Sequence, residues 1–222
     1  MKSHKIKHVD AFTTEPFTGN PAGVVLDAKG LNEKAMQNIA RELNLSETAF
    51  ILPPTVKSAD IQIRWFTPAA EVPLCGHATI ASFHALAESG MYGMRRPGTY
   101  RFRLQTRSGI LGITVDKRYS GAMIEFQLPI PEFRVHKKVP QALLKALGIR
   151  PSDVQENLPF VSESYHYLPL QKLSVIKSLQ PDLGLLDSST RATKTLGISV
   201  FCLETIEQSS AMHSRFFAPA VG

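Results

Sequence analysis

A helix without a polar face is the feature that most limits how this chain can fold. Residues 76 to 88, GHATIASFHALAE, carry apolar groups on every side of the predicted helix axis. A helix of this kind is buried on nearly all sides, whereas a surface helix has a single apolar stripe. Its alanines and Ser82 allow strands to come close all round. The stretch therefore predicts a helix enclosed by a curled sheet.

The start of this helix predicts a binding site for an anion. The first four N–H groups of an α-helix have no intrahelical partner, and the helix dipole places a partial positive charge there. In a buried helix these groups face whatever enters the mouth of the sheet. We therefore expect the backbone N–H groups of Gly76, His77 and Ala78 to bind a carboxylate-sized group.

The rest of the chain alternates strands with a few amphipathic helices. Strand patterns cover residues 5–12, 22–27, 47–53, 59–67, 99–109, 110–116, 121–129, 165–170, 197–204 and 212–219. The pair 99–109 and 110–116 is expected to form a hairpin that closes near Ser108-Gly109. Helical periodicity covers 31–44, 139–148 and 172–179. Most strand connections in the first part are too short for crossovers between parallel strands. The pattern predicts an α+β class with mainly antiparallel sheets. The proline-rich stretch 128–134 is the expected linker, so residues 1–128 and 129–222 are predicted as separate parts.

Composition and charge favour a small anionic substrate. The net charge is +6, but the Lys and Arg residues are scattered and form neither a recognition helix nor an aromatic platform, so nucleic-acid binding is not expected. No run approaches the roughly 18 apolar residues of a membrane span. The start of the chain lacks the pattern of a secretory signal. The two cysteines, Cys75 and Cys202, do not suggest a disulfide framework, so a cytoplasmic location is expected.

A short phrase occurs twice in the chain. RWFTPAAE begins at Arg64 and RFFAPAVG begins at Arg215, so that the shared pattern recurs after 151 residues. Both copies end a predicted strand, and the offset has the size of a domain. The repeat predicts an internal duplication. The residues that would open a second buried helix do not follow the second copy, so the second part is expected to be incomplete.

Three segments resemble the phenazine-biosynthesis PhzF-like proteins. They are HVDAFTTEPFTGNPAGVVLD (8–27), LNLSETAFILP (43–53) and RWFTPAAEVPLCGHATIASFHAL (64–86). The likeness is dense over residues 8–90 and looser beyond residue 130. It implies the diaminopimelate-epimerase fold, with two pseudo-symmetric halves that each wrap a curled sheet around a central helix, and an active site between them. It also implies cofactor-independent isomerisation by proton transfer, often in a homodimer.

The same resemblance suggests roles for individual residues. It identifies Glu47 as the general acid and base, Gly76 and His77 as substrate-binding residues, and Asn20 as part of a loop beside the site. A Glu that takes a proton from carbon must be partly desolvated. The family's second site segment, which follows its second RFFAP phrase, matches no residue up to Gly222. The chain is therefore expected to lack the family's C-terminal segment.

Two further interpretations of the site residues stay open. Cys75-Gly76 also resembles the Cys-Gly motif of proline racemases and diaminopimelate epimerase, which would make the chain an amino-acid racemase using Cys75. Those enzymes use two facing cysteines, and Cys202 lies in a strand pattern. The other interpretation is a catalytically silent small-molecule-binding or interaction protein.

A metal site is not expected from the two histidines of this stretch. His77 and His84 are separated by about 10.5 Å along a helix axis and cannot hold one ion together. The histidine spacing therefore predicts no metal site, and the family resemblance implies that no cofactor is needed.

Overall fold

The computed structural model describes residues 3–15, 17–128 and 130–219. The chain forms two compact units, residues 1–129 and 130–222. They divide one residue beyond the expected limit of the first part. The assignment of these two units as the two halves of an epimerase-like protein stays a prediction. The fold class itself is confirmed below.

The first unit contains one sheet and two α-helices. Its strands are β1 (Ile6–Ala11), β2 (Asn20–Val25), β3 (Glu47–Leu52), β4 (Ile61–Phe66), β5 (Glu71–Val72), β6 (Gly98–Thr106), β7 (Gly109–Arg118) and β8 (Gly121–Phe126), and its helices are α1 (Glu33–Leu43) and α2 (Gly76–Glu88). The order across the sheet is β1-β2-β3-β4-β6-β7-β8, with β5 paired to β4. Five of these pairings are antiparallel; β2–β3 and β4–β6 are parallel.

The sheet curls around α2, as the apolar circumference of that helix predicts. α2 contacts β1 and β8, which are the two edges of the sheet, and also β2, β3 and β7. Eight of its side chains are buried, among them Phe83 and Leu86, and they join one core with strand residues such as Trp65. This burial confirms the prediction of a helix enclosed by a curled sheet.

The outer face of the sheet is covered by α1. Asn32 caps this helix by accepting a hydrogen bond from the Ala35 N–H at 2.9 Å, as its sequence position predicts. Met36 of α1 is buried in a second core with Phe50 and Phe66, whose rings meet edge to face at 5.4 Å. The two faces of β3 and β4 therefore belong to different cores.

The second unit has a smaller sheet. Its strands are β9 (Arg134–His136), β10 (Phe160–Ser162), β11 (His166–Pro169), β12 (Ile198–Cys202) and β13 (His213–Phe217), and its helices are α3 (Gln141–Leu147), α4 (Leu173–Ser178) and α5 (Leu183–Ala192). The strand order is β13-β12-β11-β10-β9. Leu143 of α3, Ile176 of α4 and Leu186 of α5 pack with sheet residues such as Val200 in a single core.

The two units repeat one strand arrangement. In both β1–β4 and β10–β13, the first pair is antiparallel, the second parallel and the third antiparallel. The repeated phrase falls at matching places: Arg64 of β4 lies 5.2 Å from the Phe66 ring centroid, and Arg215 of β13 lies 4.9 Å from that of Phe217. This likeness supports an internal duplication. That the second unit is incomplete stays a prediction.

Three elements of the second unit are absent from the sequence-based assignment. Strands β9 and β10 have three residues each, too few to show a period. Helix α5 reads LGLLDSSTRA, and its serines and threonine have low helix propensity. Its start is nevertheless marked, because the Asp182 side chain accepts a hydrogen bond from the Leu185 N–H at 2.9 Å. Among the described residues, no helix combines the length and the hydropathy needed to cross a membrane.

Candidate active site

Glu47 lies at the first residue of β3, next to the buried helix. β3 starts opposite Ala22 of the parallel strand β2. The chain reaches it from the end of α1 through Asn44, whose left-handed conformation ends that helix. Side chains alternate along a strand, so Glu47 shares its face with Ala49 and Ile51, which belong to the core around α2. Its side chain is 20% exposed. The carboxylate is therefore directed toward α2 and remains partly open to solvent.

His77, in the first turn of α2, contacts three polar side chains. Its Nε2 atom lies 3.4 Å from Glu47 Oε2 and 3.4 Å from Ser46 Oγ. Its Nδ1 atom lies 3.4 Å from Cys75 Sγ. The two distances to oxygen are longer than the usual 2.7–3.2 Å of an N–H···O bond. His77 thus connects the carboxylate of β3 to the start of α2.

Cys75 is the N-cap residue of α2 and is buried. Its carbonyl accepts hydrogen bonds from the Thr79 N–H and hydroxyl. Burial, together with the nearby charge of Glu47, raises the pKa of the Cys75 thiol to about 12, although the backbone N–H groups of His77 and Ala78 act in the opposite direction. The thiol is therefore protonated at neutral pH. This weighs against Cys75 as the base of a racemase, since the base must be the thiolate.

Only some of the predicted site residues lie close to one another. Glu47 and His77 are in contact, and Gly76 and Ala78 flank His77 in the first turn of α2. Asn20 opens β2 and is exposed, and among the described residues no hydrogen bond joins it to Glu47 or His77. His84 also lies apart from this group and lines a depression with Glu88 and Lys117.

Ser46 is a site residue that sequence reasoning missed. Its hydroxyl contacts the His77 ring and donates a hydrogen bond to the Pro21 carbonyl at 3.3 Å. The bond ties the residue before Glu47 to β2, one residue after Asn20. Its position immediately before Glu47 is the signal that could have identified it.

A network of charges holds the segment that leads into α2. Arg64 of β4 donates two hydrogen bonds to Glu71, at 2.7 and 2.6 Å, and Arg107 donates a third at 2.7 Å. The Glu71 side chain is only 6% exposed. The Ser108 hydroxyl donates a weaker bond to the Pro73 carbonyl at 3.4 Å. Because residues 71–75 run directly into α2, these bonds fix the approach to Cys75 and His77.

Comparisons with known proteins agree with this geometry. The family model described as phenazine biosynthesis-like protein matches residues 9–222. An uncharacterized isomerase of Clostridium acetobutylicum is 37% identical over 229 residues, which cover 100% of this chain and 74% of the relative. The crystal structure of a PhzF-family phenazine biosynthesis protein from Bacillus anthracis superposes with a TM-score of 0.82 at 33% identity, covering 99% of this chain and 73% of that one.

More distant structures show the fold alone. A probable proline racemase from Agrobacterium radiobacter superposes with a TM-score of 0.61 at 13% identity, over 97% of this chain and 71% of that one. The chain thus shares its fold with a PhzF-family protein and with this racemase, which confirms the predicted fold class. The fold and the relatives together define an isomerase. The chain belongs to the PhzC-PhzF family of phenazine biosynthesis-like proteins.

Proposed function

We propose that this isomerase moves a proton between carbon atoms of a small carboxylate-bearing substrate, with Glu47 as general acid and base and without a cofactor. The observation that carries the proposal is the contact between Glu47 and His77 at the first turn of a buried helix. Binding at a helix start suits the substrate's negative charge. A carboxylate beside it suits proton transfer.

Each group has one task in the proposed reaction. The N–H groups of Gly76, His77 and Ala78 bind the substrate carboxylate. Glu47 removes a proton from carbon, the electron pair of the broken C–H bond moves toward the carboxylate-bearing part of the molecule, and Glu47 returns the proton to a different carbon. His77 donates a hydrogen bond to Glu47 or to the substrate, which fixes the direction of the carboxylate.

The partner atoms of His77 support this division of roles. A neutral imidazole donates from only one ring nitrogen. Donation from Nε2 reaches Glu47 and Ser46, and leaves Nδ1 as an acceptor toward the protonated Cys75 thiol. In this arrangement Cys75 orients His77 and takes no proton from the substrate. The cytoplasmic location, the homodimer and the absence of nucleic-acid partners stay predictions.

The test is exchange of carbon-bound hydrogen in D₂O, followed by NMR on a panel of small carboxylic acids with an acidic C–H next to, or conjugated with, the carboxylate. Glu47→Gln keeps the size of the side chain and removes its ability to carry the proton. It should lower the exchange rate by at least the 10²–10⁴-fold contribution typical of general acid–base catalysis. Binding of the acid, measured by calorimetry, should survive.

Two variants serve as controls for this experiment. Glu42→Gln makes the same change at an exposed position near the end of α1 and should leave the rate unchanged. Cys75→Ala should keep the rate within about tenfold, since the thiol only orients His77. If Cys75→Ala stops exchange while Glu47→Gln does not, the racemase interpretation is correct and the proposal is wrong.

A further inference from the structure

Glu47, Cys75 and His77 together form a set of three possible metal ligands, a property that the roles proposed above do not use. One carboxylate oxygen, the thiol sulfur and one ring nitrogen all lie within 4.8 Å of one another. We propose that these three side chains bind Zn²⁺, and that the bound ion blocks the isomerase site. The binding part stands on this geometry alone; the blocking part rests on the function proposed for Glu47.

The distances are close to those of a tetrahedral zinc site. Zn–S bonds of about 2.3 Å and Zn–N or Zn–O bonds of about 2.0–2.1 Å place neighbouring ligand atoms roughly 3.3–3.6 Å apart. Cys75 Sγ and His77 Nδ1 already lie 3.4 Å apart. The carboxylate oxygen of Glu47 needs to move by only about 1.5 Å at most to complete the set. Its partly exposed side chain can do so by changing rotamer.

The chemistry of the three ligands also favours zinc. Thiolate, imidazole and carboxylate are the three side-chain types that bind this ion, and three protein ligands leave a fourth position open. A His that binds a metal through one ring nitrogen donates a hydrogen bond from the other ring nitrogen to an acceptor. Ser46 Oγ lies 3.4 Å from His77 Nε2 and fills that role.

The helix dipole sets a limit on the affinity. The start of α2 favours anions and opposes a cation. Binding of Zn²⁺ releases the proton of the Cys75 thiol to solvent, and the resulting thiolate and the Glu47 carboxylate supply two negative charges that offset this effect. Binding should therefore be reversible and weaker than in a closed four-ligand structural site. Zn²⁺ would coordinate the Glu47 carboxylate, which carries the proton, and would fill the space where a substrate carboxylate binds. The ion would therefore act as an inhibitor.

Binding is tested with Co²⁺ as a spectroscopic probe of the metal-free full chain. Coordination by Cys75 should produce a thiolate-to-cobalt charge-transfer absorption. Cys75→Ser should remove this absorption, while Cys202→Ser should keep it, because Cys202 is buried in β12 and its thiol bonds to the Glu204 carbonyl. Glu47→Gln should weaken Co²⁺ and Zn²⁺ binding at least tenfold, since even the loss of an outer partner of a metal ligand costs 10–100-fold.

Several results would overturn the site. They are an absence of the charge-transfer absorption in wild type, its persistence in Cys75→Ser, or its loss in Cys202→Ser. Serine is a good N-cap residue, so Cys75→Ser should keep α2 folded, and far-ultraviolet circular dichroism checks this. If that variant unfolds, the unchanged affinity of Glu47→Gln for Zn²⁺ would overturn the site by itself.

The blocking effect is tested by hydrogen exchange in the metal-free chain with and without Zn²⁺. Saturating Zn²⁺ should abolish exchange, and a chelator should restore it. Exchange that continues at saturation, or that requires Zn²⁺, would overturn the inhibitory role. Zinc binding by a chain that shows no exchange on the panel when metal-free would count against the proposed function and leave the site standing. Exchange that depends on Glu47 in a chain that binds no zinc would support the proposed function and overturn the zinc site.

Discussion

Glu71→Gln should lower the free energy of unfolding by about 3 kcal/mol at neutral pH, an estimate that comes from the burial of this carboxylate. Glu71 accepts two hydrogen bonds from Arg64 and one from Arg107, and its side chain is 6% exposed. Arg64 also pairs with Glu33, whose side chain is 71% exposed. The network thus has a buried centre and exposed ends.

The magnitude of the destabilisation follows when the buried Glu71–Arg64 pair is considered separately from the exposed side chains of Glu33 and Arg107. Exposed ion pairs contribute at most about 1 kcal/mol, so the contacts of Glu33 and Arg107 matter little. Hydrogen bonds to charged groups contribute about 1.5–3 kcal/mol each. Glutamine keeps one acceptor oxygen for Arg64 but turns an NH₂ group toward its other N–H. The loss is one charge-assisted bond plus an unpaired donor, which lowers the melting temperature by roughly 6–12 °C.

The pH dependence supplies a second measurement. Burial raises the pKa of Glu71, but the hydrogen bonds and charges of Arg64 and Arg107 outweigh it, so the pKa is lowered overall. A carboxyl whose pKa is lower in the folded state stabilises the protein above its unfolded pKa, and this contribution is lost as the pH falls through the folded pKa. The difference between wild type and Glu71→Gln should therefore be full at pH 7 and shrink below about pH 4.3.

Urea unfolding followed by tryptophan fluorescence is a suitable assay. Trp65 is the single tryptophan of the chain and is buried beside Arg64 in β4, so it reports on the unit that carries the change. Glu33→Gln is the matched control and should cost less than about 1 kcal/mol. An equal loss in both variants, or a difference that stays constant down to about pH 3, would refute the assignment of the energy to the buried pair.

Three more predictions concern single positions. Thr48→Val should be neutral or stabilising by up to about 2 kcal/mol in urea unfolding, because the buried Thr48 hydroxyl has no hydrogen-bond partner among the described residues. Gly197→Ala should destabilise the protein by about 1–3 kcal/mol in the same assay, because a Cβ atom there would overlap the Phe217 carbonyl oxygen. Lys117→Met should lower the melting temperature by roughly 2–6 °C, since the Lys117 ammonium donates to the Ala87 carbonyl at the end of α2.

The elements that could be predicted are those whose pattern is local. α2 follows from an apolar surface all round, and α1 follows from its period and its Asn32 cap, so both helices appear within two residues of their expected limits. The hairpin of β6 and β7 closes at Arg107 and Ser108, one residue before the expected turn at Ser108-Gly109. The short strands of the second unit and the polar helix α5 have weak local signals, and packing in their common core decides their structure.

The candidate site could be assembled from sequence only in part. Glu47 and His77 were recognised through the family resemblance, and their 3.4 Å contact depends on the parallel pairing of β2 with β3 and on the curl of the sheet around α2. Neither is visible in a local pattern, because the two residues are thirty positions apart. The approach of Cys75 to Glu47 depends on the same packing and could not be inferred from the spacing of histidines.

The second unit repeats the strand arrangement of the first unit but has no carboxylate at the strand position that matches Glu47. Arg64 pairs with Phe50 in the first unit, and Arg215 pairs with Val200 in the second. Counting back along each strand, the position that corresponds to Glu47 is Gly197. A side chain at Gly197 would overlap the backbone of β13, so a carboxylate could not be placed there without moving that strand. Among the described residues, the carboxylate that we propose as acid and base therefore has its position in the first unit, and the matching strand position of the second unit is a glycine.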